Sequence, residues 1–198
     1  MDGIWWILTT GAQWNQLPEK YGKRNSVYRF HLRWSKKGVF MKMLQAVAEL
    51  KNEDNFAIMD ATHVKVHQDA CYYPLDDKDQ CFGKTKGGRN TKIHALTNAK
   101  GQALNLILTE GNRHDVTVAI DLLEYAQNRI VLADKGYDSD ALREEIYESN
   151  GIALIPGKSN RKVQPFYIKS VARIRHVVEN FFCVIKRFRR IATRYERL

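Results

Sequence analysis

The chain predicts a mixed α/β protein preceded by a small all-helical module, and three observations carry that prediction. Residues 2–50 show apolar spacing of helical period, whereas from Phe56 onward short apolar or alternating runs appear, separated by helical stretches. The last fifth of the chain returns to helical period, with Val177, Val178, Phe181, Phe182, Ile185 and Phe188 interleaved among cations. The expected division is therefore a helical module over 1–50 and a larger α/β unit over 51–198.

In the first unit, Ile4, Trp5, Ile7 and Leu8 open an amphipathic stretch that Gly11 breaks and Pro18 ends. Ser26 is placed to cap a helix over Val27–Trp34. Lys36-Lys37-Gly38 interrupts it, and Val39–Leu50 forms another helix with Phe40, Met43, Leu44 and Val47 on one face. Two short helices about a glycine turn fit either plain packing or a DNA-binding helix-turn-helix. Because helix begins almost at Met1, the module is expected to be the remainder of a longer N-terminal domain.

Lys51 to Asn55 reads as a polar joint. Strands are expected over Phe56–Met59, continuing through alternating Thr62, Val64 and Val66, then Lys92–Leu96 and Ala103–Thr109, the last two joined by a turn at Asn98-Ala99-Lys100-Gly101. Asp115 is placed to cap a helix over Val116–Gln127, and strand Ile130–Ala133 follows. A further helix starts at Asp138 or Ser139 and closes at Asn150-Gly151, before a short strand Ile152–Ile155 and a helix over Val171–Arg190. The segment from Gln68 to Asn90 is a long polar loop, a type that often carries function.

Composition bounds the chemistry. Hydrophobic content of 44% and aromatic content of 11% fit a folded globular chain of 198 residues. Gly3–Leu8, the richest apolar run, is too short to span a membrane and lacks the cationic flank of a signal peptide. Cys71, Cys81 and Cys183 are odd in number without zinc-like spacing, which points to the reducing cytoplasm. The net charge is +10; residues 158–198 hold 12 Lys+Arg against Glu179 and Glu196, leaving 20 bases and 20 acids for the rest. An apolar stripe obliges this basic segment to dock, and its cationic face then becomes a fixed surface for phosphates.

Asp60 and Asp134 each close an apolar run, Phe56–Met59 and Ile130–Ala133, where an unpaired charge is costly. With Glu179 they form a candidate set of hard oxygen ligands for two Mg2+ ions about 3.5–4 Å apart, the arrangement that metal-assisted phosphodiester cleavage uses. At roughly 100° per residue, Arg175, Glu179 and Lys186 fall on one edge of the last helix. Two accounts fit: an intrahelical ion pair between Arg175 and Glu179, or Glu179 on metal with Arg175 and Lys186 on phosphates. Lys84, Lys86 and Arg89 mark a cationic loop suited to a DNA backbone, as do Arg187, Arg189 and Arg190 beyond Lys186. His63 and His67 share strand parity, but no further spaced ligand supports a transition-metal site. His114-Asp115 hints at acid-base chemistry, though a capping Asp115 explains it better. Gly83-Lys84-Thr85 is no phosphate loop, because Lys78 occupies the position of the required first glycine, and no nucleotide is expected.

Arg175-x3-Glu179-x6-Lys186 resembles the Tyr-x2-Arg-x3-Glu-x6-Lys signature of bacterial insertion-sequence transposases of the DDE class. Met59-Asp60-Ala-Thr-His63, Lys86-Gly-Gly-Arg-Asn-Thr-Lys-Ile-His94, Gly111-Asn-Arg-His114-Asp115 and Ala133-Asp134-Lys-Gly-Tyr-Asp138 are similar to further blocks of that family, in order. Gly3-Ile-Trp-Trp, Gly11-Ala-Gln-Trp14 and Leu17-Pro18 resemble its N-terminal segment. The resemblance implies a ribonuclease H-like catalytic fold, with Asp60, Asp134 and Glu179 as the catalytic, metal-binding triad. It implies two Mg2+ ions, which Mn2+ can replace, and double-stranded DNA, at element ends and target, as substrate. It also implies a homodimer on DNA in the bacterial cytoplasm, at the nucleoid, with no membrane partner. Position 172 departs from the signature, holding Ala172 where the tyrosine belongs, and Tyr167 is out of register. The chain also lacks residues that relatives carry ahead of Gly3. The alternatives are a DNA-binding remnant without catalysis and a structure-specific nuclease of the same fold.

Overall fold

The computed structural model describes residues 1–50, 54–71 and 80–196. Most of the expected joint at Lys51–Asn55, the middle of the 68–90 loop including Lys78, and the side chain of Cys71 lie outside the described residues. Among the described residues Cys81 and Cys183 are free thiols, and no helix is long and apolar enough to cross a membrane.

Three helices come first: α1 (Asp2–Thr10), α2 (Arg24–Lys36) and α3 (Val39–Leu50). Gly11 ends α1 in the left-handed region, φ 72°, as a C-terminal glycine should. Helix α2 starts earlier than expected, with Lys23 and not Ser26 at the position before its first turn and no side-chain capping bond there. Gly38 supplies the positive φ, 63°, that lets the chain turn between α2 and α3. Ala48 of α3 is buried in the main core and Gln45 donates to the Tyr125 hydroxyl at 2.7 Å, so this helix packs directly on the sheet unit.

A seven-stranded mixed sheet follows. Strand β1 (Phe56–Val66) pairs antiparallel with β3 (Gly88–Thr97), which also pairs antiparallel with β2 (Gly83–Thr85) and β4 (Ala103–Glu110). On its other edge β1 pairs in parallel with β5 (Ile130–Leu132), and β5 with β6 (Ile152–Leu154). The order β4-β3-β1-β5-β6, with only β3 reversed among its inner strands, is the ribonuclease H-like arrangement. Helices α4 (Asp115–Leu122) and α5 (Asp140–Glu148) cover one face. The expected single helix Val171–Arg190 is instead α6 (Lys169–Ala172), a tight turn at Arg173–Arg175, α7 (His176–Ile185) and α8 (Arg189–Ala192), ending in strand β7 (Thr193–Arg194). The interruption comes at Phe188, whose extended ψ of 109° caps α8 and turns the chain away from α7.

Strand alternation divides the core into two layers. Ala57, Met59, Val131 and Ala133 face α4 and α5, whereas Ile58, Val64, Leu132 and Leu154 face Val178 and Phe182 of α7. By the same parity Asp60 follows Ile58, and Asp134 follows Leu132, onto the α7 side. Asp60 closes the apolar run, but the strand goes on through Thr62, Val64 and Val66 as expected. It sits mid-strand, because β3 continues to pair with β1 opposite it (Asp60↔Ala95) after β5 has stopped at Ile58↔Leu132. Further along the same edge, β7 takes up pairing at Lys65↔Thr193. Between those two partners, the stretch of β1 that carries Asp60 and Thr62 has no strand partner on that edge among the described residues.

Candidate active site

The β1–β5 register places Asp60 and Asp134 opposite one another, each two residues past the last pair, Ile58↔Leu132. Neighbouring strands run about 4.8 Å apart, so the two acids stand side by side at the carboxyl end of β5, the end of a strand at which open α/β sheets bind ligands. Each acid uses one oxygen locally. Asp60 Oδ1 accepts the Ala61 amide at 2.8 Å, and Asp134 Oδ1 accepts the Gly136 amide at 2.8 Å. Burial pushes the Asp60 carboxyl above its ordinary value, the Ala61 amide and Arg175 pull the other way, and the charges of Asp134 and Glu179 push it further up. A divalent cation would relieve that repulsion.

Glu179 lies in the first turn of α7 and is exposed, on a helix held to the sheet by buried Val178 and Phe182. Arg175, in the turn before it, does not pair with Glu179. Its Nη2 lies 3.9 Å from Asp60 Oδ2, and its buried Nε has no hydrogen-bond partner among the described residues. Lys186, at the carboxyl end of α7, donates from Nζ to Thr62 Oγ1 at 2.6 Å, bridging onto β1. The structure thus brings Asp60, Asp134, Arg175 and Lys186 to one place, with Glu179 close enough to act on Asp60 electrostatically. Among the described residues no three acid, His or Cys side chains stand close enough together to enclose an ion as they are. The donor set is nonetheless of the right kind: hard oxygens on separate rigid elements, one oxygen of each aspartate not engaged by a backbone amide.

Residues 51–198 match the family model described as "Transposase DDE domain", and residues 1–44 match the one described as "Putative transposase of IS4/5 family". The chain belongs to the transposase DDE domain family. A Brucella ovis protein, "Putative transposase for insertion sequence element IS6501", is 36% identical over 109 residues, 54% of this chain and 84% of that protein. "Putative transposase for insertion sequence element IS402" of Burkholderia cepacia is 29% identical over 136 residues, 59% of this chain and 62% of that protein. The chain also covers 55% of "Uncharacterized protein y4sN" of Sinorhizobium fredii, at 33% identity. Among solved structures, the catalytic domain of Mos1 mariner transposase aligns over 77% of this chain and 91% of its own at 10% identity, with a TM-score of 0.34.

The other expected DNA contacts of this transposase separate into two groups. Lys84, Lys86 and Arg89 are exposed on the β2–β3 hairpin, and Lys84 lines an open groove with Glu110, Arg113 and His114. That hairpin meets β1 at Lys65↔Asn90, about 17 Å along the strand from Asp60. Arg187 and Arg189 are exposed. Arg190 is engaged internally: Nη1 lies 3.0 Å from Glu196 Oε1, Nη2 donates to the Ala12 carbonyl at 2.6 Å, and its guanidinium covers the Tyr195 ring.

Several nearby side chains have partners that the sequence reading did not assign. Asp115 does not cap α4; His114 holds the cap position, while Asp115 lies 3.0 Å from Lys92 Nζ and 3.5 Å from His94 Nδ1. Burial pushes the Tyr137 phenol strongly up, and the charges of Asp115, Asp60 and Asp134 add to it. Asp138 accepts from the Arg143 and Arg161 guanidinium groups and from the Lys158 amide. Strand parity, applied to His94 and Lys92 together, was the available signal for the first group. His63 contacts Asn90 at 3.1 Å, and His67 sits 3.3 Å from Asp69 and stacks on Tyr195. Ala172, standing in the place of the signature tyrosine, is buried, and Tyr167 packs on the core beneath α7.

Proposed function

We propose that the chain acts as an insertion-sequence transposase, cutting double-stranded DNA at element ends and joining the freed 3′-OH to target DNA. What supports this best is the placement of Asp60 and Asp134 each two residues past the last β1–β5 pair, Ile58↔Leu132, near enough for the Asp134 charge to act on Asp60. Asp60 and Asp134 would hold divalent metal and Glu179 would complete the set. Two Mg2+ ions, or Mn2+ in their place, would polarise the scissile phosphate and supply a nucleophilic oxygen. Arg175, whose buried Nε near Asp60 has no partner among the described residues, is placed to donate to a phosphate oxygen, and Lys186 to neutralise its neighbour. Lys84, Lys86, Arg89, Arg187 and Arg189 supply further backbone contacts along the duplex. Cutting two ends in concert favours a homodimer on DNA. Residues 1–50 form the helical module and 51–198 the catalytic unit of this scheme.

The test is nicking and strand transfer on a duplex carrying the element end, with Mg2+ and with chelator. Asp60→Asn and Glu179→Gln should each lower metal-dependent cleavage by roughly a hundred- to a thousandfold, an electrostatic loss of the size seen when a charge-stabilising group is removed, while duplex binding persists. Retained cleavage by Asp60→Asn would overturn the site. A wild-type chain that binds duplex yet fails to nick it with any divalent ion would favour the non-catalytic remnant instead.

A further inference from the structure

The zero net charge of residues 1–157 conceals a segregation. From Lys20 to Lys42 the chain has eight Lys+Arg and no acid at all, whereas residues 43–157 carry 12 bases against 18 acids. The cationic stretch is centred on α2, a 13-residue helix with no buried residue. At about 100° per residue, Arg29, Arg33 and Lys36 fall within roughly 60° of one another, and Val27, His31 and Trp34 project about 100° or more away from Arg33. That second side is the packed one. Trp34 meets Phe30 and Phe40, and His31 meets Trp14 and Phe40. Arg29, Arg33 and Lys36 are exposed, and among the described residues none has a carboxylate partner. Arg33 lies over the Phe30 ring, 5.6 Å from its centre, which holds its guanidinium at the surface.

We infer that this face of α2 is a second surface for double-stranded DNA, gripping the phosphate backbone without reading bases. The inference rests on the transposase reading and adds a surface to it. Charge complementarity selects the occupant: a ridge of three unpaired cations about 10.5 Å long spans roughly three phosphates of one strand, spaced at about 3.4 Å along the axis. The ridge is also anchored. Ala12 receives Arg190, Trp5 packs edge-on against Phe188 with ring centres 4.8 Å apart, and Gly11 lies against the Arg189 side chain. The helices that carry α2 are thereby fastened to the basic C-terminal segment, so both cationic segments ride on one body.

The experiment compares the full chain with its Arg29→Ala/Arg33→Ala/Lys36→Ala variant on two 30-bp duplexes of unrelated sequence, by anisotropy from 50 to 200 mM KCl. Each lost phosphate contact should lower the slope of log K against log salt by about 0.9, for a total near 2–3, equally on both duplexes. The double variant Arg29→Lys/Arg33→Lys, with Lys36 kept, should retain the wild-type slope, showing that charge and not folding was lost. A wild-type slope in the Ala variant, a loss confined to one duplex, or an equal loss in the charge-preserving variant would each overturn the inference while leaving the transposase reading standing. Failure of the wild-type chain to bind any duplex would overturn both.

Discussion

His94 shows how a single side chain sets a pH dependence. It is fully buried on β3, with Nε2 2.8 Å from Thr109 Oγ1 and Nδ1 3.5 Å from Asp115 Oδ1. Burial lowers its pKa to about 4; Asp115 opposes that, and Lys92 and His63 reinforce it. The folded value lies below the ordinary 6.5, so the unfolded chain binds the proton more tightly. The contribution is whole above pH 6.5 and is lost as pH falls from there toward 4. Between pH 7 and 5 the loss is about 2 kcal/mol, or roughly 4–8 °C in Tm for a chain of this size. Thermal melts of wild type and His94→Gln across that range check it: the variant should show a flatter profile, and parallel profiles would remove His94 as the cause. Asp60 and Asp134 were legible in sequence because each stands out as a charge following an apolar run. Thr62 and His94 were not, since their roles come from Lys186 and Asp115, 124 and 21 residues away in the chain respectively.

At the scale of elements, the strands were legible where apolar alternation was strong, as in β1, β4 and β6, and missed where pairing alone makes the strand. Gly83-Lys84-Thr85 has no strand-like composition; it is a strand because β3 offers it a hairpin partner. Helical period likewise predicted one long C-terminal helix, blind to the docking of Lys186 on Thr62 and Phe188 on Trp5 that accompanies its break. Asp138 does a comparable job between elements, joining the turn after β5, helix α5 and the connector after β6. Burial raises its carboxyl, but hydrogen bonds from Arg161, the Lys158 amide and Arg143 outweigh it and hold the pKa down to about 2. Its contribution is therefore present above pH 4 and lost only as pH falls toward 2. Asp138→Asn leaves the Arg143 guanidinium buried without its counter-charge, and should cost about 3–5 kcal/mol. Urea titrations at pH 7 read this directly; a loss below about 1 kcal/mol would show that the connector is held by other contacts.

For the whole molecule, the question is which cations hold DNA and which hold the protein together. The sequence places Arg187, Arg189 and Arg190 side by side in one basic run, and nothing in their spacing distinguishes them. Folding does. The Arg190 side chain is only 8% exposed, bridging Glu196 near the C-terminus, the Ala12 carbonyl after α1 and the Tyr195 ring, while Arg187 is exposed. Arg190→Ala should therefore destabilise the chain by several kcal/mol, since it strands a carboxylate and a carbonyl at once. It should leave the salt slope of duplex binding unchanged at temperatures where the variant is folded. Arg187→Ala should do the reverse, leaving Tm within about 1–2 °C of wild type and reducing the slope by about 0.9. Paired melts and salt titrations of the two variants give the answer in one experiment. If Arg190→Ala lowered the slope without lowering Tm, the clamp between the N-terminal helices and the C-terminal segment would have to be abandoned, and Arg190 returned to the DNA-contact surface.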